Sequence, residues 1–388
     1  MTIHAIITLT LRSIPPCERS SKMIITGIET IPLRIPFKTG TKSDASAWGD
    51  SNLPAADSLL VKVTTDQGLV GWGEAFGFRA VASAKLAIDQ LIAPLCVGQD
   101  ATRIDPLMLE VNKKLHVFGR GGALAFAISA VDIALWDIAG KAANMSLCRL
   151  LGGGATELPC YASMVRYSNP ALVRTSVRQA IEVGFGALKL HEIALPAIRA
   201  AREEAGPGIE LTLDVNCPWT LYEARQKAEE LKAVDLKWLE EPLWPPENFN
   251  GLAELRRTSG IPIAAGENVY TLMDFERLLA AKAVDYVQPS PAKMGGVSEL
   301  RKVFPLAAVH NIPVMLHSFY DGPGLLAAIH ATAALGTADS MTEWRWFDLQ
   351  ATIYGDALSP KGGRISVPQG SGLGIDPDPD VIRIYRWN

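Results

Sequence analysis

A repeat of strand-like and helix-like runs in the second half of the chain constrains the fold more than any other feature. From about residue 157, short apolar runs typical of strands alternate with amphipathic runs typical of helices. The strand-like runs are LPCYAS, GALKL, ELTLDV, LKWLE, IPIAAG, VDYVQP, IPVML and DSMTEW. Repeated βα units predict a parallel sheet, and eight of them predict a closed (β/α) barrel. A doubly wound open sheet is the alternative, but no G-x-G-x-x-G motif follows the first strand.

The residues before the repeat have a different pattern. Residues 23–154 show strand-like runs first, including the hairpin pattern SLLVKVTTDQGLVGWGEA, and helical periodicity afterwards, ending in a Gly-Gly-Gly run. This order predicts a small α+β domain. We therefore expect four parts: an extension at 1–22 outside the folded domains, an α+β domain at 23–154, the barrel at 155–345, and a C-terminal segment at 346–388.

Composition excludes several classes of protein. The formal net charge of −4 gives no electrostatic reason to expect nucleic acid or an anionic membrane as a partner. Five scattered cysteines without a C-x-x-C pair favour a reduced, cytoplasmic setting. No apolar run approaches the length of a membrane span, and residues 1–22 lack the basic start and small-residue cleavage site of a secretory signal.

Polar and ionisable residues end the strand-like runs at intervals of one βα unit. Counted from Lys189, they recur every 23 to 27 residues at Asp214, Glu240, Glu267, Ser290, His317 and Glu343, with His191 beside Lys189 on the same strand. The carboxyl ends of barrel strands converge on one mouth, where barrel enzymes hold their active sites. A single charge at a strand end is more often a solvated loop residue or a helix cap. The whole series in register indicates a functional site.

The three carboxylates of this series indicate a cation. Asp214, Glu240 and Glu267 on adjacent strands would repel each other unless a positive charge lay between them. Oxygen-only ligands favour Mg²⁺. Lys189 and His191 raise a further question, because two neighbouring basic groups at the end of an apolar strand repel each other when both are charged.

Several phrases in the chain together resemble the enolase superfamily, in its mandelate racemase-like branch. They are SAVDIALWDIAGKA with LLGG, TLDVN, WLEEP, AGEN and KMGGVSE. The resemblance extends from Met23 to the C-terminus and implies a (β/α)7β barrel with an N-terminal α+β capping domain, to which the segment 346–388 returns. It also implies that Asp214, Glu240 and Glu267 are Mg²⁺ ligands, with Asn216 lining the site.

The resemblance also implies the chemistry of the basic pair. Family members remove the proton next to a carboxylate through an enediolate, usually with a Lys-x-Lys pair on the second strand, and here the second position is His191. We therefore expect His191 to be the base, kept neutral by its repulsion with Lys189, and Lys189 to support the enediolate. His317 and Glu343 match an acid–base His and a Glu that binds the substrate carboxylate, and Lys293 matches a supporting Lys.

One departure from the family pattern leaves the reaction open. Relatives pair the His with an Asp, or carry a Lys, at the position of Ser290. Dehydration of a sugar acid is the first expectation. Racemisation or epimerisation, cycloisomerisation of a carboxylate or lactone, and a barrel that binds metal without catalysis are the alternatives. The resemblance places substrate-binding residues in two capping-domain loops, 38–54 and 75–80, where Trp48, Phe76 and Arg79 are candidates, and it implies a homo-oligomer.

Overall fold

The computed structural model describes residues 22–38 and 55–387. Trp48, most of the loop 38–54 and all but the last residue of the predicted extension 1–22 lie outside the described residues.

The first part of the chain forms an antiparallel sheet. Strands β1 (Ile25–Lys38), β2 (Ala55–Thr65) and β3 (Val70–Ala75) pair in that order, and a short strand from the C-terminal segment pairs with the outer edge of β1. A turn through Gly68, whose φ of 77° suits glycine, joins β2 to β3 and confirms the predicted hairpin.

Helices cover this sheet. They are α1 (Val81–Ala87), α2 (Ala93–Cys96), α3 (Ile104–Leu115), α4 (Gly122–Ala142) and α5 (Leu147–Leu150), with a π-helical turn (Ile88–Ile92) between α1 and α2. α4 lies so close to β3 that a Cβ on Gly73 would be 1.8 Å from the carbonyl oxygen of Ala130. Against expectation, α4 is long and apolar enough to cross a membrane, but most of it is buried, as in the core helix of a soluble protein.

The second part forms the parallel barrel. Its strands are β4 (Glu157–Met164), β5 (Ala187–Leu190), β6 (Glu210–Asp214), β7 (Trp238–Glu240), β8 (Ile263–Ala265), β9 (Tyr286–Val287) and β10 (Thr342–Trp346). The helices around them are α6 (Pro170–Glu182), α7 (Leu195–Ala205), α8 (Leu221–Leu231), α9 (Phe249–Ser259), α10 (Leu272–Ala280), α11 (Gly296–Val309) and α12 (Pro323–Leu335). β10 pairs with β4, and each of β4 to β8 pairs with the strand that follows it.

The seventh strand-like run, IPVML, does not form a regular strand. Val314 makes a single parallel bridge to Val287, and the backbone N–H of Met315 donates to the carbonyl oxygen of Val287. Towards β10, side chains replace the ladder, since Ser340 Oγ donates to the carbonyl oxygen of Val314 and Ser318 Oγ to that of Glu343. Pro313, which has no N–H, limits ladder bonding at the start of this run.

The C-terminal segment contacts both parts. Strand β11 (Asp348–Leu349) pairs with β1, and strand β12 (Arg364–Ser366) pairs antiparallel with β4. Helix α13 (Pro379–Tyr385) follows, and the N–H of Trp387 donates to the carbonyl oxygen of Pro32 on β1. The predicted architecture, an α+β capping domain beside a (β/α)7β barrel, is confirmed.

Candidate metal and acid–base site at the barrel mouth

Three carboxylates meet at the carboxyl ends of neighbouring barrel strands. Asp214 ends β6 and Glu240 ends β7, and the two residues are paired in the strand register. Glu267 follows β8 after Gly266, whose φ of 146° and close contact with the backbone of Gln288 favour glycine. Oxygen atoms of all three carboxylates lie within 4.8 Å of one another. The structure thus brings together the residues that the sequence predicted as metal ligands.

The charges around these carboxylates shift their pKa values in different directions. Burial alone would raise the pKa of Asp214, but Lys189 and His191 outweigh it and hold this pKa below its usual range. Burial would also raise the pKa of Glu267, but His317 and Lys293 outweigh it and hold this pKa well below its usual range. Burial raises the pKa of Glu240 to about 7, because Lys189 only partly offsets it. Without further positive charge, Asp214 and Glu267 therefore ionise more readily than Glu240.

Lys189 lies at the centre of the buried carboxylates. Its Nζ is 2.5 Å from Oε1 of Glu240, 3.2 Å from Oδ2 of Asp214 and 3.2 Å from Oε1 of Glu343. Burial would lower the pKa of Lys189, but these carboxylates hold it well above its usual range. Lys189 is therefore a fixed positive charge beneath the triad, and it is 1% exposed.

His191 directly follows β5 and contacts one of the same carboxylates, Asp214. Its Nε2 lies 3.3 Å from Oδ2 of Asp214, the oxygen that also contacts Lys189. Repulsion by Lys189 is therefore not the only charge effect at His191, because the Asp214 carboxylate contacts both basic groups. His191 Nδ1 forms a hydrogen bond with the carbonyl oxygen of Met164. A carbonyl oxygen can only accept, so Nδ1 carries a proton and Nε2 holds the lone pair whenever the ring is neutral.

His317 approaches the triad from another side. Its Nε2 lies 2.7 Å from Oε2 of Glu267, and its Nδ1 lies 3.1 Å from Oγ of Ser290. Ser290 Oγ is also 2.6 Å from the hydroxyl of Tyr320, which donates to the carbonyl oxygen of His317. Ser290, a candidate substrate-binding residue at the position where relatives carry Asp or Lys, is 1% exposed, contacts His317 and does not line the site cavity.

Glu343 also lies behind the cavity surface. Its Oε1 accepts from Ser163 Oγ, and its Oε2 accepts from the N–H of Ser318. Burial would raise its pKa, but Lys189 leads the groups that lower it. Glu343 is fully buried and contacts Lys189 and the two serines, and its contact with a substrate carboxylate stays a prediction.

Sequence reasoning missed a polar chain beside the triad. Lys293 Nζ lies 3.0 Å from Oε1 of Glu267 and 3.1 Å from Oδ1 of Asn268. The Asn268 amide nitrogen donates to both oxygens of Glu241 at 2.9 Å. Glu241 has a left-handed φ of 46°, which breaks the strand alternation and turns it to the cavity beside Glu240. The phrases WLEEP and AGEN contain these residues, but their pairing depends on that backbone conformation.

Three further polar groups hold the site residues in place. Arg166 Nε donates to the carbonyl oxygen of His191, and its Nη2 lies 3.4 Å from Oδ1 of Asn216. Oε2 of Glu240 accepts from Trp238 Nε1 and from Gln288 Nε2. Oε1 of Glu240 accepts from Lys189, which leaves this oxygen a lone pair for a cation. Arg166 could not be predicted as a site residue, because it lies in a loop without regular spacing.

A cavity of about 710 Å³ lies between the barrel mouth and the capping domain, beside these groups. Of the predicted site residues, those that line it are His191, Asp214, Asn216, Glu267, His317, Phe76 and Arg79. Phe76 also lies under Lys293, whose Nζ is 4.7 Å from the ring centroid. The cavity is lined by acidic groups, basic groups and aromatic rings, and its size and mixed lining fit a small polar molecule.

Comparison with known proteins gives matches over most of the chain. Residues 51–152 match the mandelate racemase/muconate lactonizing enzyme N-terminal domain, and residues 172–381 match the family described as enolase C-terminal domain-like. The chain is 32% identical over 365 residues to a 3,6-anhydro-alpha-L-galactonate cycloisomerase of Streptomyces coelicolor, covering 91% of this chain and 96% of the relative. It is 28% identical over 337 residues to an arabinonate dehydratase of Saccharolobus solfataricus, covering 84% and 90% of the two chains.

Solved structures give the same result. A racemase from Streptomyces coelicolor A3(2), with bound magnesium, superposes with a TM-score of 0.81 at 29% identity, covering 94% of this chain and 100% of that chain. The relatives of the present chain by sequence are thus named as dehydratases and cycloisomerases of sugar acids. The chain therefore belongs to the mandelate racemase/muconate lactonizing enzyme family of the enolase superfamily.

Proposed function

We propose that this enzyme binds Mg²⁺ through Asp214, Glu240 and Glu267 and removes the α-proton of a sugar acid, which it then dehydrates. The observation that carries the proposal is the meeting of three carboxylates within 4.8 Å, with histidines on two sides of the group. The oxygen-only donor set fits Mg²⁺, which favours carboxylate ligands and leaves positions for water and substrate. When bound, Mg²⁺ supplies positive charge that stabilises the negative charge developing on the substrate carboxylate.

His191 is the base in this proposal. The bond from Nδ1 to the Met164 carbonyl fixes the tautomer in which Nε2 can accept a proton. Arg166 holds the backbone of the same residue, so both the ring and the main chain are oriented from the end of β4. Lys189 remains charged beneath the carboxylates and lowers the cost of placing another negative charge above them.

His317 is the acid that protonates the leaving hydroxyl group. Its Nε2 contacts Glu267 while Nε2 of His191 contacts Asp214, so the two rings reach the cavity from different members of the triad. A base and an acid at separate positions suit elimination, which removes a proton from one carbon and hydroxide from the next. Arg79, at the exposed edge of the cavity, is a candidate for binding the distal end of a sugar acid.

Cycloisomerisation is the second candidate. Two relatives favour it: the Streptomyces coelicolor cycloisomerase at 32% identity, and the solved 3,6-anhydro-D-galactonate cycloisomerase of Zobellia galactanivorans, with a TM-score of 0.81. The first step is the same, because both reactions begin with loss of the α-proton. They differ in the leaving group, which is a hydroxyl in dehydration and a ring oxygen in cycloisomerisation.

A panel of linear and cyclic sugar acids, incubated with enzyme and Mg²⁺, tests the proposal. We expect a product lighter by one water for dehydration, and a product of unchanged mass for cycloisomerisation or racemisation. The panel is repeated in D₂O, so that exchange at the α-carbon is seen by NMR even without net turnover. Absence of both turnover and exchange across the panel would instead support a metal-binding barrel without catalysis.

The setting of the enzyme is also proposed. We infer a cytoplasmic enzyme that takes a small carboxylate and assembles as a homo-oligomer, since the four described cysteines are free and the cavity has the size of a small-molecule site. Light scattering of the purified chain tests the assembly.

A further inference from the structure

Two barrel loops carry the groups on the His317 side of the site. The first connects β9 to α11 and contains Ser290 and Lys293, which contact His317 and Glu267. The second begins at His317 and leads to α12 through Tyr320. Both loops end at the N-terminus of a helix, where backbone N–H groups lack partners within the helix.

Helix α4 of the capping domain binds the end of the first loop. Ser129 Oγ accepts from the N–H of Gly295 at 2.7 Å, and Oδ1 of Asp132 accepts from the N–H of Ser298 at 3.0 Å. Trp136 Nε1 donates to Oγ of Ser298 at 2.9 Å. The approach is close, since a Cβ on Gly296 would lie 2.2 Å from Oδ1 of Asp132. Ser129 and Asp132 are 0% exposed, so water does not replace these bonds.

Strand β3 of the capping domain binds the end of the second loop in the same way. Oε2 of Glu74 accepts from the N–H of Gly322 at 3.0 Å and from that of Gly324 at 2.9 Å. Glu74 is 1% exposed, and a Cβ on Gly322 would lie 2.7 Å from its carboxyl carbon. A carboxylate at the N-terminus of a helix is favoured by the helix dipole and by the free N–H groups.

We propose that Glu74 and Asp132 are positioning residues, through which the capping domain sets the geometry of His317, Ser290 and Lys293. Neither carboxylate lines the site cavity, so each acts through the loop that it holds. The inference rests on the proposed function in so far as His317 and Lys293 take part in the reaction. If the proposal holds, Glu74 and Asp132 of the capping domain are required for the correct position of His317, the proposed acid on the barrel.

The chain contains a matched control on the same helix. Asp137, which like Asp132 lies on α4, is 1% exposed and accepts from the N–H groups of Leu373 and Trp72. It also pairs with Lys141 at 2.8 Å. Its partners belong to the C-terminal segment and the capping domain, and among the described residues it forms no hydrogen bond with either of the two barrel loops. Loss of Asp137 therefore tests the effect of removing a buried carboxylate from α4 without removing a bond to either loop.

The experiment compares Asp132→Ala, Glu74→Ala and Asp137→Ala by hydrogen exchange, melting temperature and steady-state kinetics. Asp132→Asn and Glu74→Gln keep an acceptor oxygen and serve as conservative variants. Ser129→Ala removes a single hydrogen bond to Gly295 and replaces Asp132→Ala if that protein does not fold. Exchange is followed in peptides covering residues 290–298 and 317–324, and in a peptide covering 370–375.

We expect Asp132→Ala to speed exchange in residues 290–298, and Glu74→Ala in residues 317–324, with kcat lowered about tenfold or more. The amide variants should recover most of the kcat, because they can still accept from the backbone. Asp137→Ala should speed exchange near residues 72 and 373, where its two N–H partners lie, and leave exchange in 290–298 and 317–324 unchanged. Its kcat should stay within about twofold of the wild-type value at a comparable loss of melting temperature.

Unchanged exchange in both loops, or an equal loss of kcat in Asp137→Ala, would overturn the inference. If the wild-type enzyme acts on no sugar acid, the proposed function fails, and the exchange results alone still decide whether these carboxylates hold the loops.

Discussion

Oγ of Ser290 lies 3.1 Å from Nδ1 of His317, so a neutral hydroxyl faces the imidazole of the proposed acid. A carboxylate in that place would favour the protonated ring, whereas a hydroxyl does not supply that charge. Ser290→Asp should therefore keep His317 protonated to higher pH. We expect the alkaline limb of kcat/KM to move up by about one pH unit, as an opposite charge at this distance would produce.

The control for this prediction is Ser290→Ala, which removes the hydroxyl without adding charge. Its alkaline limb should stay within a few tenths of the wild-type position. A limb that stays in place or moves down in Ser290→Asp would mean that His317 is not the acid.

His191→Asn should abolish exchange of the α-proton while Mg²⁺ still binds. Asparagine cannot take up the proton, and general-base groups contribute about 10²- to 10⁴-fold to a rate. Exchange is measured by NMR in D₂O, and Mg²⁺ binding by calorimetry. A loss of less than about tenfold would transfer the role of base to another group, such as Lys189 or His317.

Glu240→Gln should weaken Mg²⁺ binding by about tenfold or more and leave the fold intact. The amide cannot supply the negative charge of one of the three carboxylates. Its oxygen can still take the place of Oε2 and accept from Trp238 and Gln288. Glu247→Gln is the control, since Glu247 lines the same cavity outside the triad. Equal Mg²⁺ affinity in the two variants would remove Glu240 from the ligand set.

Glu74 should make the stability of the protein depend on pH. Burial raises the pKa of Glu74 to about 7, so the folded protein holds this proton more tightly than the unfolded chain does. The resulting stabilisation is present below the pKa of an unfolded glutamate and is lost as the pH rises through about 7. Glu74→Gln cannot ionise, so its free energy of unfolding should fall less than that of the wild type between about pH 5 and 7.5.

The difference should reach up to about 3 kcal/mol, the value of a shift of this size. Urea unfolding at each pH measures it, and the exposed Glu182, changed to Gln, serves as the control. Parallel curves for Glu74→Gln and the wild type would show that Glu74 does not titrate in this range.

The sequence predicted the fold and the central residues well because both follow from regular spacing. One residue per βα unit, from Lys189 to Glu343, ends each strand-like run, and parallel strands bring such positions together. Glu241 was missed because its place at the cavity depends on a left-handed φ that the spacing does not reveal. Glu74 and Asp132 were missed because their partners lie 166 or more residues away in the chain.

The same limit applies to Ser290 and Glu343. Ser290 and Glu343 lie at the predicted depth, but neighbouring side chains decide whether a group faces the cavity. Ser290 is covered by His317 and Tyr320, and Glu343 by Lys189. A pattern of strand ends predicts which residues meet and leaves open which of them a substrate can reach.

The central claim is that a Mg²⁺-dependent base at this site removes the α-proton of a carboxylate. The most direct measurement uses the active sugar acid carrying deuterium at its α-carbon, incubated in H₂O with Mg²⁺ or with excess chelator. We predict that the label passes to water in step with product when Mg²⁺ is present, and that chelator or His191→Asn abolishes its release. Product that keeps the label, or equal release without Mg²⁺, would contradict the claim.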